Sequence, residues 1–247
     1  MKFRTDGLII KEMNIGEQDK LVHVLTKSHG VIKAFVKGAK SLKSQKGAPS
    51  SLLSYSRLTF YKSRDSYTIG DAQTLRIFSR LRSDVKKMCL AQYFCELCLT
   101  ICPREQPAGE YLSLVLNSLY LINEDKRPEK LVKPCLEMRM AEMAGYMPDL
   151  RMCSVCGEYT APLMYFLPVE GRLECSSCRP NPPDGAIPLS EAALHALRHT
   201  IYADDNKLFA FSLSDEGLEM LNAAGESYIK YRFEKDFKTL VFYKTLS

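Results

Sequence analysis

Two short cysteine pairs constrain this chain more than any other feature. Cys153-Ser154-Val155-Cys156 and Cys175-Ser176-Ser177-Cys178 have the spacing C-x2-C-x18-C-x2-C, which falls within the range of structural zinc sites. Each C-x-x-C makes a tight turn that aims two sulfurs at one point, and Gly157 lets the chain reverse after the first pair. Between the pairs, Leu163-Met164-Tyr165-Phe166-Leu167 and Gly171-Arg172-Leu173 predict a hairpin that brings the pairs together. Four thiolates complete a tetrahedral shell with no open position. Cys153, Cys156, Cys175 and Cys178 are therefore expected to hold one Zn2+ per chain in a structural role.

The rest of the composition sets the compartment. Hydrophobic residues make up 46% and charged residues 26% of 247 residues, as in a folded globular protein of one large or two small domains. No apolar run approaches the roughly 20 residues of a membrane helix. The charged start Met1-Lys2-Phe3-Arg4-Thr5-Asp6-Gly7 does not read as a secretory signal. A cytoplasmic protein is expected, with its nine cysteines reduced or metal-bound rather than paired.

Charge is unevenly distributed. Residues 1–80 carry a balance of +9, and the remainder carries −4. From Lys20 to Arg64 there are ten basic residues and no acidic one. Solvated lysine-rich faces usually mix in carboxylates, so this one-signed stretch points to a polyanion as partner.

In the same region short β-rich runs alternate with turn signals. Leu8–Ile10, Leu21–Thr26, Val31–Val36, Leu58–Tyr61 and Tyr67–Ile69 are separated by segments such as Asn14-Ile15-Gly16 and Ser28-His29-Gly30. Five or six strands in so few residues predict a closed barrel, either an OB-fold or an SH3-like barrel. Residues two apart on a strand share a face. Ile32, Ala34 and Val36 make a core stripe, while Lys33, Phe35 and Lys37 place a ring between two ammonium groups. That is the composition of a base-stacking platform flanked by phosphate contacts. Arg57, Thr59 and Tyr61 repeat the scheme opposite Leu58 and Phe60. Lys40, Lys43 and Lys46 continue the basic series from Lys37 at every third residue, in a loop or a single helical turn suited to phosphate contact.

Beyond Ser83 the period becomes helical. One helix runs up to Pro103, a second spans Gly109 to Asn123, and a third runs from about Lys130 to Gly145 with Pro134 in its early turns. Cys95, Cys98 and Cys102 share one side of the first helix among Phe94, Leu97, Leu99 and Ile101, a setting for core packing rather than for a reactive or metal-binding thiol. After the cysteine pairs, Asn181-Pro182-Pro183-Asp184-Gly185 forms a turn, and Ser190 and Ser214 are placed to cap two further helices. Phe233–Leu246 has the makings of a last helix. There is no P-loop, G-x-S-x-G or H-E-x-x-H, and the four histidines face no evident nucleophile. Binding is expected, not catalysis. Composition alone leaves open an RNA-binding OB protein with a zinc ribbon.

Several strings resemble one family. Thr5-Asp6-Gly7-Leu8-Ile9-Ile10, Gly16-Glu17-Gln18-Asp19, Leu25-Thr26-Lys27-Ser28-His29-Gly30 and Ala34-Phe35-Val36-Lys37-Gly38-Ala39 are similar to the amino-terminal barrel of the bacterial recombination mediator RecO. Ala144-Gly145-Tyr146-Met147-Pro148-Asp149-Leu150 before Cys153, and Phe166-Leu167-Pro168 before Cys175, resemble that family's zinc-finger junction. The chain departs from the family at Lys40 and Ser41, where relatives often carry arginines. The resemblance implies an α+β multidomain protein: an OB-fold nucleic-acid-binding domain over 1–80, then a mostly α-helical domain over 81–247 with an inserted four-cysteine zinc finger at 150–182. It also implies sequence-independent binding of single- and double-stranded DNA and annealing of complementary strands. Its expected partners are RecR and the acidic C-terminal tail of single-strand-binding protein, with RecA loaded indirectly, at the nucleoid.

Overall fold

A computed structural model describes residues 1–41, 44–64 and 66–246. The first part forms five strands, β1 (Lys2–Ile15), β2 (Asp19–Thr26), β3 (Gly30–Val36), β4 (Ser54–Lys62) and β5 (Tyr67–Ile77), closed into a barrel in the order β1-β2-β3-β5-β4. All joins are antiparallel except the parallel β3–β5 join. That order is the OB-fold of the two barrels the strand pattern allows.

The inward stripe of β3, Ile32, Ala34 and Val36, meets Val22, Val24, Leu58, Phe60 and Ile69 in one core. Branched and aromatic side chains suit such a pleated, half-buried surface. Burying each of the larger ones contributes about 1.5–3 kcal/mol. β1 is much longer than its apolar run because it closes the barrel on two sides. Lys2–Leu8 pair with β4 and Gly7–Ile15 pair with β2, with a register shift between Ile9 and Lys11.

Helices α1 (Ser79–Ser83), α2 (Val85–Ile101), α3 (Gly109–Asn123) and α7 (Lys238–Lys244) complete this part. Asp84 caps α2 by accepting from the Lys87 amide at 3.0 Å, and the helix ends just before Pro103. The β2–β3 turn is fastened to the segment that follows. Gly30 has φ +59°, and a Cβ there would lie 2.1 Å from the Pro103 carbonyl oxygen, so only glycine fits. The Val31 amide donates to that carbonyl at 2.9 Å, and the Ala108 amide donates to Lys27 O at 3.1 Å. These bonds explain why packing divides the chain at Glu124 although its period changes near residue 80. One unit is Met1–Glu124 with Phe237–Ser247, and the other is Asp125–Asp236.

The second unit contains α4 (Glu129–Met143), β6 (Asp149–Cys153), β7 (Met164–Leu167), β8 (Arg172–Cys175), β9 (Ile187–Leu189), α5 (Glu191–Tyr202) and α6 (Asp215–Phe233). Pro134 lacks the amide that would bond to the Lys130 carbonyl one turn back. The Asn222 side chain of α6 donates to that carbonyl instead. β7 and β8 form the expected hairpin within a four-stranded sheet of order β6-β8-β7-β9. Ser190 accepts from the Ala193 amide and Ser214 from the Gly217 amide, capping α5 and α6. Among the described residues no helix is long and apolar enough to cross a membrane.

Candidate nucleic-acid interface and metal centre

On the outer face of β3, Lys33 and Phe35 point away from the core, Phe35 is 37% exposed, and Lys37 is exposed at the first position of the turn after the strand. Register carries the row across the barrel, because Phe35 is opposite Thr68 on β5 and Thr68 is opposite Tyr61 on β4. Two strand spacings, roughly 10 Å, therefore separate the two outward rings. Tyr61 is 44% exposed. Its ring lies over Gly70, and Lys2 Nζ sits 5.5 Å from the ring centroid.

The turn after β3 is held in place by hydrogen bonds. The Gly38 amide donates to Asp19 Oδ1 at 2.8 Å and the Lys40 amide to Gln18 O at 3.0 Å. Lys37 and Lys40 are thereby presented, both exposed, at the end of the platform strand. Lys43 lies outside the described residues.

Arg57 and Lys46, with Arg4, Thr59 and Gln73, line a depression of about 190 Å³ that reaches Gly70 beside the Tyr61 ring. Arg57 is already paired: Nε donates to Asp6 Oδ1 at 2.7 Å and Nη2 to Oδ2 at 3.2 Å. Hydrogen bonding and attraction to this carboxylate raise the guanidinium pKa further. Thr59 is buried, as are Leu58 and Phe60 on either side of it. The second triplet thus breaks the alternation of the first at its middle residue, and its cation is neutralised. The contributions of Lys2, Arg4 and Lys11 escape sequence reasoning because they belong to the polar ends of β1. Only pairing to two neighbours shows those ends to be strand.

In the other unit, the four sulfurs of Cys153, Cys156, Cys175 and Cys178 lie within 4.8 Å of one another and can hold a metal ion. The Cys156–Cys175 Sγ separation is 3.7 Å. Tetrahedral bonds of about 2.3 Å require about 3.8 Å between sulfurs. Each pair is turned by its own backbone: the Gly157 amide donates to Cys153 O at 3.0 Å, and the Cys178 amide donates to Cys175 O at 3.1 Å. The Cys175 amide donates to Cys153 Sγ at 3.3 Å. Burial opposes a charge on Cys153, but amide donors from Cys156, Cys175 and Val155 outweigh it and bring the thiol down to about 6. Hydrogen bonds to the Cys156 and Cys175 sulfurs push the Cys178 thiol up to about 12. A cation at the centre of the four would relieve this competition.

Buried Glu174, next to a ligand, pairs with Arg172 at 3.0 Å and with Arg179. Those cations hold its carboxyl below the usual range, with the Arg179 hydrogen bond the main cause. Arg198 of α5 fastens the first cysteine pair from behind. Its guanidinium donates to the carbonyls of Leu150, Arg151 and Tyr159 at 2.7, 3.0 and 2.6 Å and lies over the Tyr159 ring.

Cys95, Cys98 and Cys102 are buried in α2. Burial raises the Cys95 thiol pKa well above its usual value, and for Cys98 the hydrogen bond with Cys102 does most, with burial adding to it. His195 and His199 share a face of α5 and line a cavity of about 560 Å³ with Tyr159, Tyr202 and Arg198.

Comparison with known proteins covers nearly the whole chain. Residues 1–78 match the family described as Recombination protein O N terminal, and residues 82–240 match Recombination protein O C terminal. The chain is 34% identical over 244 residues to the DNA repair protein RecO of Acetivibrio thermocellus, covering 98% of this chain and 96% of that one. It is 30% identical to the proteins of the same name from Dehalococcoides mccartyi, over 99% of this chain and 96% of that one, and Symbiobacterium thermophilum, over 99% and 97%. With both halves matched in order and relatives aligned end to end, the chain belongs to the RecO family of DNA repair proteins.

Proposed function

We propose that this protein binds single- and double-stranded DNA without sequence preference and anneals complementary strands. In this reading it acts with RecR to help load RecA onto strands coated by single-strand-binding protein, whose acidic C-terminal tail it contacts. The work is cytoplasmic, at the nucleoid. The OB-fold domain of residues 1–80 carries the DNA, and the helical domain of 81–247, with its finger at 150–182, keeps shape and recruits partners.

The observation that carries the reading is the outward Phe35 set between Lys33 and Lys37 on a barrel of OB strand order. An aromatic face takes any base, and ammonium groups take phosphate oxygens and release counterions. Neutralising two strands on one protein lowers the repulsion between them, which is the physical requirement for annealing. Lys40 and Tyr61 extend this surface, and Lys46 and Arg57 mark its second depression. The four cysteines hold Zn2+, the metal for which an all-thiolate tetrahedral shell is the common structural site.

The test uses two complementary oligonucleotides precoated with single-strand-binding protein. The intact chain should accelerate their annealing, and a Lys33→Ala, Lys37→Ala, Lys40→Ala variant should lose most of that acceleration while keeping its metal. Equal annealing by both proteins would reject the barrel as the working surface. Preference for RNA over DNA in a competition experiment would favour the RNA-binding alternative.

A further inference from the structure

The outer face of the barrel changes chemistry from one rung to the next. Lys11 on β1, His23 on β2 and Lys33 on β3 are register partners, so three basic side chains stand side by side. Their neighbours across the strands are about 5 Å apart at Cα. Two residues along, about 6.6 Å, the next rung is Met13, Leu21 and Phe35, with Met13 and Phe35 exposed. On the other side, the rung of Leu25 and Val31 is buried, and Gly30 bridges to Arg104 there. A cationic rung thus borders an apolar one, matching a polynucleotide strand that has phosphates along one edge and bases along the other.

His23 is the member of the cationic rung whose charge can change near neutral pH. The ring is half-buried, and its Nδ1 is sealed from solvent with no hydrogen-bond partner. The charged groups facing it are all cations: Lys11 from β1, Lys33 from β3 and Arg104 from the segment after α2. Burial first, and then these three charges, hold its pKa below 6.5. The carboxylates of β1 and β2 are occupied elsewhere. Asp6 is bound to Arg57, Glu12 accepts from Lys20 and the Leu52 amide, and Asp19 accepts from the Gly38 amide. β3 has no carboxylate. A neutral imidazole beside three cations is an arrangement short of an anion.

We propose that Lys11, His23, Lys33 and Arg104 form a phosphodiester subsite in which His23 takes up a proton when polynucleotide binds. This inference rests on the DNA-binding reading above and adds proton linkage to it. A phosphate on the rung offsets the repulsion from the three cations, so the imidazole pKa rises in the complex. Affinity then increases as pH falls through the bound-state pKa, and levels off below the pKa of the unbound protein. For one linked proton the ceiling is about tenfold per pH unit.

The experiment measures binding of a fluorescent oligothymidylate, whose bases do not titrate in this range, to the full-length metal-loaded protein from pH 5.5 to 8 at fixed ionic strength. The wild type should gain affinity toward low pH, His23→Gln should be flat, and His23→Lys should be flat but tight. His29→Gln is the control, because His29 is stacked on Phe3 at 4.1 Å with its Nδ1 bonded to Ser28, and it should keep the wild-type slope. A titration of the His23 ring by NMR needs no variant and should show a higher pKa with oligothymidylate than without. If the wild type binds with a steep salt dependence but His23→Gln keeps its pH slope, or the ring pKa does not rise, the subsite is wrong and the barrel reading stands. If the wild type shows no salt-dependent binding at any pH, the DNA-binding reading falls and the subsite falls with it.

Discussion

Cys95-Glu96-Leu97-Cys98 in α2 and Cys153-Ser154-Val155-Cys156 at the end of β6 share the C-x-x-C spacing and have opposite chemistry. In α2 the backbone amides serve the helix ladder, and at Cys98 the hydrogen bond from Cys102 and burial outweigh the one backbone bond that favours a thiolate. The thiols are left among Phe94 and Leu97, where burial keeps them protonated. Around Cys153, by contrast, the amides of Val155, Cys156 and Cys175 point at the sulfur. What makes a ligand pair is therefore the backbone around it, which decides whether a thiolate is stabilised before any metal arrives.

The largest expected effect tests the ligand side of this contrast. Cys175→Ser removes one sulfur but keeps the backbone amide that donates to Cys153. It should abolish stoichiometric zinc and lower the stability of the second unit by roughly 3 kcal/mol or more, since structural metal binding is part of folding free energy. Metal analysis and thermal unfolding provide the readout. One zinc per chain and an unchanged melting temperature in the variant would break the comparison.

A second, sharper test separates the groups by reactivity. Four cysteines belong to the cluster, and the other five, Cys89, Cys95, Cys98, Cys102 and Cys135, are buried. With metal bound, a thiol reagent should label slowly at every site. After chelation, mass spectrometry should show the cluster cysteines modified first, led by the exposed Cys156. The buried five should wait for denaturation. Labelling of α2 in step with the cluster would mean that its thiols are accessible after all.

The same physics explains which features could be read from sequence. The cysteine spacing, the β7–β8 hairpin and the α3 span are local patterns, and each forms where its residues imply. The inward stripe of β3 is equally local. Closure of the barrel is not: the β3–β5 join rests on Ala34–Tyr67 and Phe35–Thr68 pairings that no short window contains. β6 and β9 are too short to show a period, and β9 includes Pro188. The Asp6 partner of Arg57 lies 51 residues away, and the Asn222 that serves the Lys130 carbonyl lies 92 away. Residue types and faces are written locally, while charge neutralisation and backbone satisfaction are settled at long range.

A smaller effect is expected from Cys98→Ser. The hydroxyl is nearly isosteric but more polar than the thiol, and the site is fully buried. The substitution should cost about 1–2 kcal/mol, as burying a poorly satisfied polar group does, with zinc content unchanged. Loss of metal in this variant would show the two cysteine groups to be coupled.

The smallest effect carries the comparison from sulfur to basic side chains, where surroundings again outweigh residue type. Lys37 and Lys40 are exposed and form no ion pair among the described residues, whereas Arg57 is held at two points by Asp6. A cation free to meet a phosphate releases a counterion on binding, and each such contact to single-stranded DNA adds about 0.7 to the slope of log affinity against log salt. Lys37→Ala and Lys40→Ala should each flatten that slope by about this amount. Arg57→Ala should change it less, because Asp6 already competes with phosphate for the guanidinium. A full-sized change from Arg57→Ala would mean that the pair opens when DNA binds, and that the depression it lines with Arg4 and Lys46 takes a phosphate of its own.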